Sequence, residues 1–199
     1  MFRFEFVLLM VCAVYGSQQE NSPADSEREK DVYAIYSLML TDVPTSHGPD
    51  NKEKYLIAAT TAPMRRARPC VTPSPARRAD FGEVLADYEL RRSTPRHLKR
   101  ALSIQQPYVL LDAEQVKAFI EERSPHGTGR QSSSREVFRG ATDLFTLSDV
   151  YFNQRRTLAL TALSSWCGVL CGESQWRVFE KSTTGEWEER QWVGCVTMQ

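Results

Sequence analysis

The spacing of apolar residues changes once along this chain, and that change limits what it can fold into. Up to about residue 120 the large apolar side chains recur three and four apart, whereas from Leu144 onward they alternate with polar ones. The first period places a stripe on one side of a helix, and the second places residues on one face of a strand. Helices that come first and strands that come last predict an α+β fold: N-terminal helices packed on a mainly antiparallel sheet that ends in a four-stranded meander. Helices covering one face of that sheet would account for the pattern.

Three helices are expected. Val32, Ile35, Tyr36, Met39 and Leu40 define one near 27–41, with Ser26 and Glu29 as a capping box. Phe81, Val84, Leu85 and Tyr88 define a second near 81–92, with Asp80 and Glu83 as its capping pair. The third starts at Asp112, with Gln115 reaching back and Leu111 stapled onto Val116, and Ser124-Pro125 stops it. Two short apolar runs, Tyr55 to Thr60 and Pro107 to Leu111, read as buried strands. The meander strands fall near 144–152, 157–165, 174–181 and 187–196, turning at Asn153 to Arg156 and at Ser182 to Gly185. The segment 98–104 fits neither period.

Between these elements, residues 62–79 hold four prolines, five arginines and no carboxylate until Asp80, which predicts an exposed irregular loop. Residues 124–142 form a second loop, rich in Gly and Ser between Gly127 and Arg135. At 199 residues, with 41% hydrophobic and 25% charged side chains, the chain can close one core, and no repeat suggests a second domain. Its 25 basic and 25 acidic side chains cancel, so an electrostatic partner must be met by a local patch.

Residues 1–16 read as a signal peptide: a cation at Arg3, an apolar run from Phe6 to Tyr15 too short to span a bilayer, and a cut after Gly16. Lipid anchoring at Cys12 ranks below simple cleavage, because Val11 is bulky for the position before a lipidated cysteine. Residues 17–199 would then form a single α+β domain, secreted or periplasmic, with no transmembrane segment. No Asn-x-Ser/Thr acceptor occurs, since Pro23 follows Asn21-Ser22, and a bacterial envelope fits better than glycosylated secretion.

Four cysteines would remain, Cys70, Cys167, Cys171 and Cys195, an even number suited to an oxidising compartment. Spacing leaves two pairings open, Cys167 with Cys171 inside the loop or Cys171 with Cys195 across strands. A redox-active pair is a sharper reading, but nothing evident lowers the Cys167 pKa. A metal site built on Cys167 and Cys171 would need further ligands from Cys70, Cys195 or a distant His or Met.

No catalytic constellation is specified. Ser164, Ser165 and Cys167 are the candidate nucleophiles, with His47, His97 or His126 as base, and none sits in a recognised motif. Glu186, Glu188 and Glu189 lie on a hairpin where alternation predicts a solvated face. Two basic stretches stand out: Arg65, Arg66, Arg68, Arg77 and Arg78, then Arg96, Lys99 and Arg100. Together they form a candidate anion-binding surface for lipid or lipopolysaccharide phosphates. Few aromatics interleave with them, so no specific nucleic-acid recognition is expected.

The runs Leu144-Phe145-Thr146-Leu147-Ser148, Phe152-Asn153, Arg156 to Leu160 and Trp166-Cys167-Gly168-Val169-Leu170-Cys171-Gly172 resemble those of a group of uncharacterised exported bacterial proteins. That group has a C-terminal meander carrying a CGGLCG-like loop, with Gly where Val169 stands here. The likeness covers about the last 120 residues and implies export and the Cys167/Cys171 loop, but no known activity. The leading expectation is a non-enzymatic binding or interaction module of the envelope without a cofactor. The alternatives are an exported hydrolase with a Cys or Ser nucleophile and a metal-handling protein.

Overall fold

The computed structural model describes residues 23–41, 43, 54–63, 68–124, 135–168, 171–194 and 196–198. The leader expected at 1–16, Arg65, Arg66, His47, His126 and Cys195 lie outside them. Among the described residues no helix is long and apolar enough to cross a membrane.

Helix α1 spans Pro23–Thr41. Its stripe of Val32, Ile35, Tyr36, Met39 and Leu40 is completely buried. It begins earlier than expected, with a proline whose missing N–H costs nothing in the first turn. Ser26 and Glu29 therefore lie within the helix and do not cap it. Helix α2, Arg78–Arg91, also starts early. Asp80 falls in its first turn and binds Arg77 and Arg155 (3.2 and 2.8 Å), while Glu83 accepts from the Gln154 N–H (3.0 Å), so this pair is not a cap either. Helix α3, Ala113–Arg123, carries the expected capping box: Asp112 Oδ1 accepts from Gln115 N at 2.8 Å, and Gln115 Oε1 accepts from Asp112 N at 3.0 Å. Leu111 and Val116 pack in one cluster beneath it.

The described strands are β1 Tyr55–Ala58, β2 Val71–Thr72, β3 Tyr108–Leu111, β4 Leu144–Leu147, β5 Tyr151–Phe152, β6 Leu158–Gly168, β7 Cys171–Lys181, β8 Trp187–Arg190, β9 Val193–Gly194 and β10 Val196–Met198. Eight form one sheet in the order β10-β7-β6-β4-β1-β3. β5 continues the line of β4 along β6, and β8 shares the edge of β7 with β10. β1 runs parallel to β3 and β4, and every other pair is antiparallel. The class is α+β, as expected.

Alternation along β1 and β6 sorts the core into two faces. Tyr55, Ile57, Phe145, Ala159, Leu163 and Phe179 meet α1. On the other face, Leu158, Leu160, Ala162 and Val178 meet α2, and Leu56, Leu111 and Leu144 meet α3. Helices thus cover both faces rather than one. The sequence order of the elements cannot show this, because it does not say on which side each connection crosses.

Five further expectations are corrected. Residues 62–79 do hold regular elements: β2 pairs with β9 as a separate two-stranded sheet, and a 3-10 turn at Pro75–Arg77 leads into α2. The 124–142 loop includes a helical turn, α4 Arg135–Phe138, which buries Phe138 and Ala141 against Phe119 of α3. The expected strand 144–152 breaks after Leu147, where Ser148 Oγ accepts from Ala162 N at 2.8 Å in place of a regular ladder bond. The last strand divides into β8, β9 and β10. β3 is an edge strand and mostly half-buried, not a buried one.

Candidate functional site

Below the C-terminal end of α1, the sheet face carries rows of side chains set by strand register. Phe145, Ser165 and Glu173 lie side by side on β4, β6 and β7; Leu147, Leu163 and Gln175 form the next row; Thr161 and Arg177 form the third. From these rows Phe145, Ser165, Glu173, Leu163, Gln175 and Arg177 line a groove of about 240 Å³, together with Val43 and Asp143. Phe145 and Leu163 make an apolar floor, 4% and 8% exposed.

Arg177 closes one end. Its Nη1 donates to the Met39 carbonyl near the end of α1 (3.4 Å) and meets Glu189 at 3.2 Å, while its buried Nε finds no hydrogen-bond partner. A cation at a helix C-terminus complements the macrodipole. Glu189 is thereby drawn half out of solvent, a correction to the solvated hairpin face expected for Glu186, Glu188 and Glu189. The other two are exposed, and Glu188 pairs with Arg190 at 3.0 Å. At the opposite end Glu173 is exposed and has no ion-pair partner among the described residues. Asp143 accepts from Thr142 Oγ1 and lies in the field of Arg123, whose pKa is lowered chiefly by burial.

A larger hollow, about 460 Å³, separates α1 from the β7–β8 turn, and its buried carboxylate, Asp31, is paired. Asp31 Oδ1 accepts from Lys181 Nζ (2.8 Å) and Trp187 Nε1 (2.9 Å), and Oδ2 faces Arg156 at 3.4 Å. The trough between α1 and α2 is similar: Asp87 there takes Arg28, Arg91 and the Phe152 N–H.

Among the described residues the candidate nucleophiles and the one candidate base, His97, do not converge. Ser164 donates to Ser174 on the neighbouring strand at 2.9 Å. His97 is exposed and stands 3.4 Å from Thr60 Oγ1, three residues past Ile57 on β1. Ile57 pairs with Phe145, which pairs with Ser165. Two strand spacings and about 10 Å along the strands therefore separate His97 from Ser165.

Cys167 and Cys171 form a disulfide across the tip of the β6–β7 hairpin, with Cα atoms 5.2 Å apart. That decides between the two pairings considered for Cys171. Bridged sulfurs offer neither a thiolate nucleophile nor a metal ligand. Cys70 is also disulfide-bonded. Among the described residues no group of three or more His, Cys, Asp or Glu converges in a way that would hold a metal ion.

The described residues of the two basic stretches lie at opposite ends of α2, whose 14 residues span about 20 Å. Arg77 faces Asp80 and Glu180, Arg96 faces Asp149 (2.8 Å), and Lys99 faces Glu29 (2.6 Å). Arg68, Arg78 and Arg100 are exposed.

One polar cluster escaped the sequence reading. Tyr36 donates to the Ser148 carbonyl (2.7 Å), Ser148 Oγ contacts Thr161, and Asp149 holds Arg96. Burial first and the Asp149 carboxylate second push the Tyr36 pKa well up. Burial works against the Arg96 charge, but the same carboxylate outweighs it and raises the Arg96 pKa. The signal was Ser148-Asp149 interrupting an apolar run.

The fold and groove define an α+β protein with a small mixed polar and apolar site on its sheet face. Compared with known proteins, the chain matches no family model, no curated protein and no solved structure.

Proposed function

We propose that this chain is an exported, non-enzymatic binding module of a bacterial envelope that takes a partner on the sheet face beyond α1. The observation that carries the reading is the groove itself. It has an apolar floor of Phe145 and Leu163, hydrogen-bonding groups on Ser165 and Gln175, and a charged group at each end. Recognition sites combine apolar lining with a few placed polar groups in this way. Export rests on the leader-like residues 1–16 and on the disulfide-bonded cysteines.

The test compares the mature chain with Ser165→Trp, which places an indole in the groove above Phe145 and Leu163. Capture from envelope extracts should return the same partner from the native chain in repeated trials and lose it with Ser165→Trp. An unchanged capture by Ser165→Trp contradicts the proposed site. Turnover of common hydrolase substrates, together with labelling of Ser165 by a serine-directed probe, would favour the hydrolase reading instead.

A further inference from the structure

We propose that the groove accepts one lysine or arginine side chain of a partner polypeptide; this rests on the binding reading above and specifies its ligand. Size comes first. About 240 Å³ is less than the roughly 300–1,000 Å³ that encloses a small organic ligand, so the groove suits one long side chain better than a whole metabolite.

Chemistry selects the side chain. The Phe145 and Leu163 floor can cover an alkyl stem, the part that lysine and arginine bury while keeping the charged head near polar groups. Every charged side chain around the groove except one already has a polar or charged side-chain contact. Arg177 holds Glu189 at 3.2 Å, and Asp143 accepts from Thr142 in the field of Arg123. Glu173 is the exception, an exposed carboxylate in the same row as Phe145 and Ser165 with no ion-pair partner among the described residues. Gln175, two residues along the same face of β7, offers an amide oxygen to a cationic head. A carboxylate at the mouth of an apolar slot complements a cation on a stem, and it would disfavour an acidic side chain there.

The experiment titrates the isotopically labelled full chain with an acetylated pentapeptide amide carrying one central arginine among glycines, followed by nuclear magnetic resonance. Norleucine and glutamate peptides serve as counterparts. The arginine peptide should shift the amides of residues 163–165 and 173–177 saturably, with millimolar affinity that weakens as salt rises. The norleucine peptide and the Glu173→Gln variant should each bind about fivefold more weakly or worse, a difference on the order of 1 kcal/mol. Glu173 is exposed, so Glu173→Gln leaves the fold intact, which its otherwise unchanged spectrum would verify. Equal binding of the norleucine peptide, shifts confined to other surfaces, or no shift at all overturns the inference. If Ser165→Trp abolishes partner capture while Glu173→Gln leaves it unchanged, the binding site stands and only the basic ligand is wrong.

Discussion

Arg96 Nε donates to Asp149 Oδ1 across 2.8 Å and so ties the segment after α2 to the end of β4. Asp149 is almost fully buried, whereas Arg96 keeps a quarter of its side-chain surface. Removing the cation strands a buried carboxylate, a change that costs about 3–5 kcal/mol when both partners are fully buried. Because Arg96 retains solvent, Arg96→Met should cost about 2–3 kcal/mol. Asp149→Asn keeps an acceptor for the Val150 N–H and should cost less, about 1–2 kcal/mol. Urea denaturation of the two variants checks both the size and the order.

Tyr36 gives the alkaline behaviour a definite sign. Its pKa in the folded chain stands well above the value near 10 that it recovers on unfolding, through burial and then the Asp149 carboxylate. Tyr151 is shifted the same way, again chiefly by burial. Above pH 10 the unfolded state therefore holds fewer protons than the folded one, and stability falls as pH rises. Below pH 10 these groups contribute no slope. Tyr36→Phe should cost about 1 kcal/mol at neutral pH through the lost bond to the Ser148 carbonyl, and it should flatten the decline above pH 10. Denaturation midpoints from pH 8 to 11 would show it.

The Cys167–Cys171 bridge closes a loop of only five residues, so its effect on the unfolded chain is small. The chain-entropy relation gives about 2 kcal/mol as its upper contribution. The double change to serine should thus lower stability by no more than about 2 kcal/mol and leave the fold intact, as thermal unfolding and circular dichroism would record.

On α3, Asp112→Ala removes the side-chain acceptor for the Gln115 N–H and should cost about 1 kcal/mol. The same variant should raise amide exchange in the first turn of α3 without affecting α1.

What could be read in the sequence was local. The α1 stripe, the Asp112–Gln115 box and the turn at Ser182 to Gly185 each depend on residues within one or two turns of one another, and each stands in the structure. Pairing across long separations was not legible. β1 lies between β3 and β4 through parallel contacts, and β2 meets β9 more than 120 residues away, because periodicity identifies a strand without naming its neighbour. The groove was hidden for the same reason. Phe145, Leu163, Ser165 and Glu173 look like ordinary alternating residues until register sets them side by side, whereas Arg96 and Arg77, which look like one basic surface, are set apart by the length of α2.

The central claim is that the sheet face beyond α1 meets a partner, and site-specific crosslinking tests it most directly. A photoreactive phenylalanine analogue at Ser165 should join the mature chain to one recurring envelope protein, while the same group at the exposed Leu90 of α2 should not. Crosslinks from position 90 but none from position 165 would contradict the account.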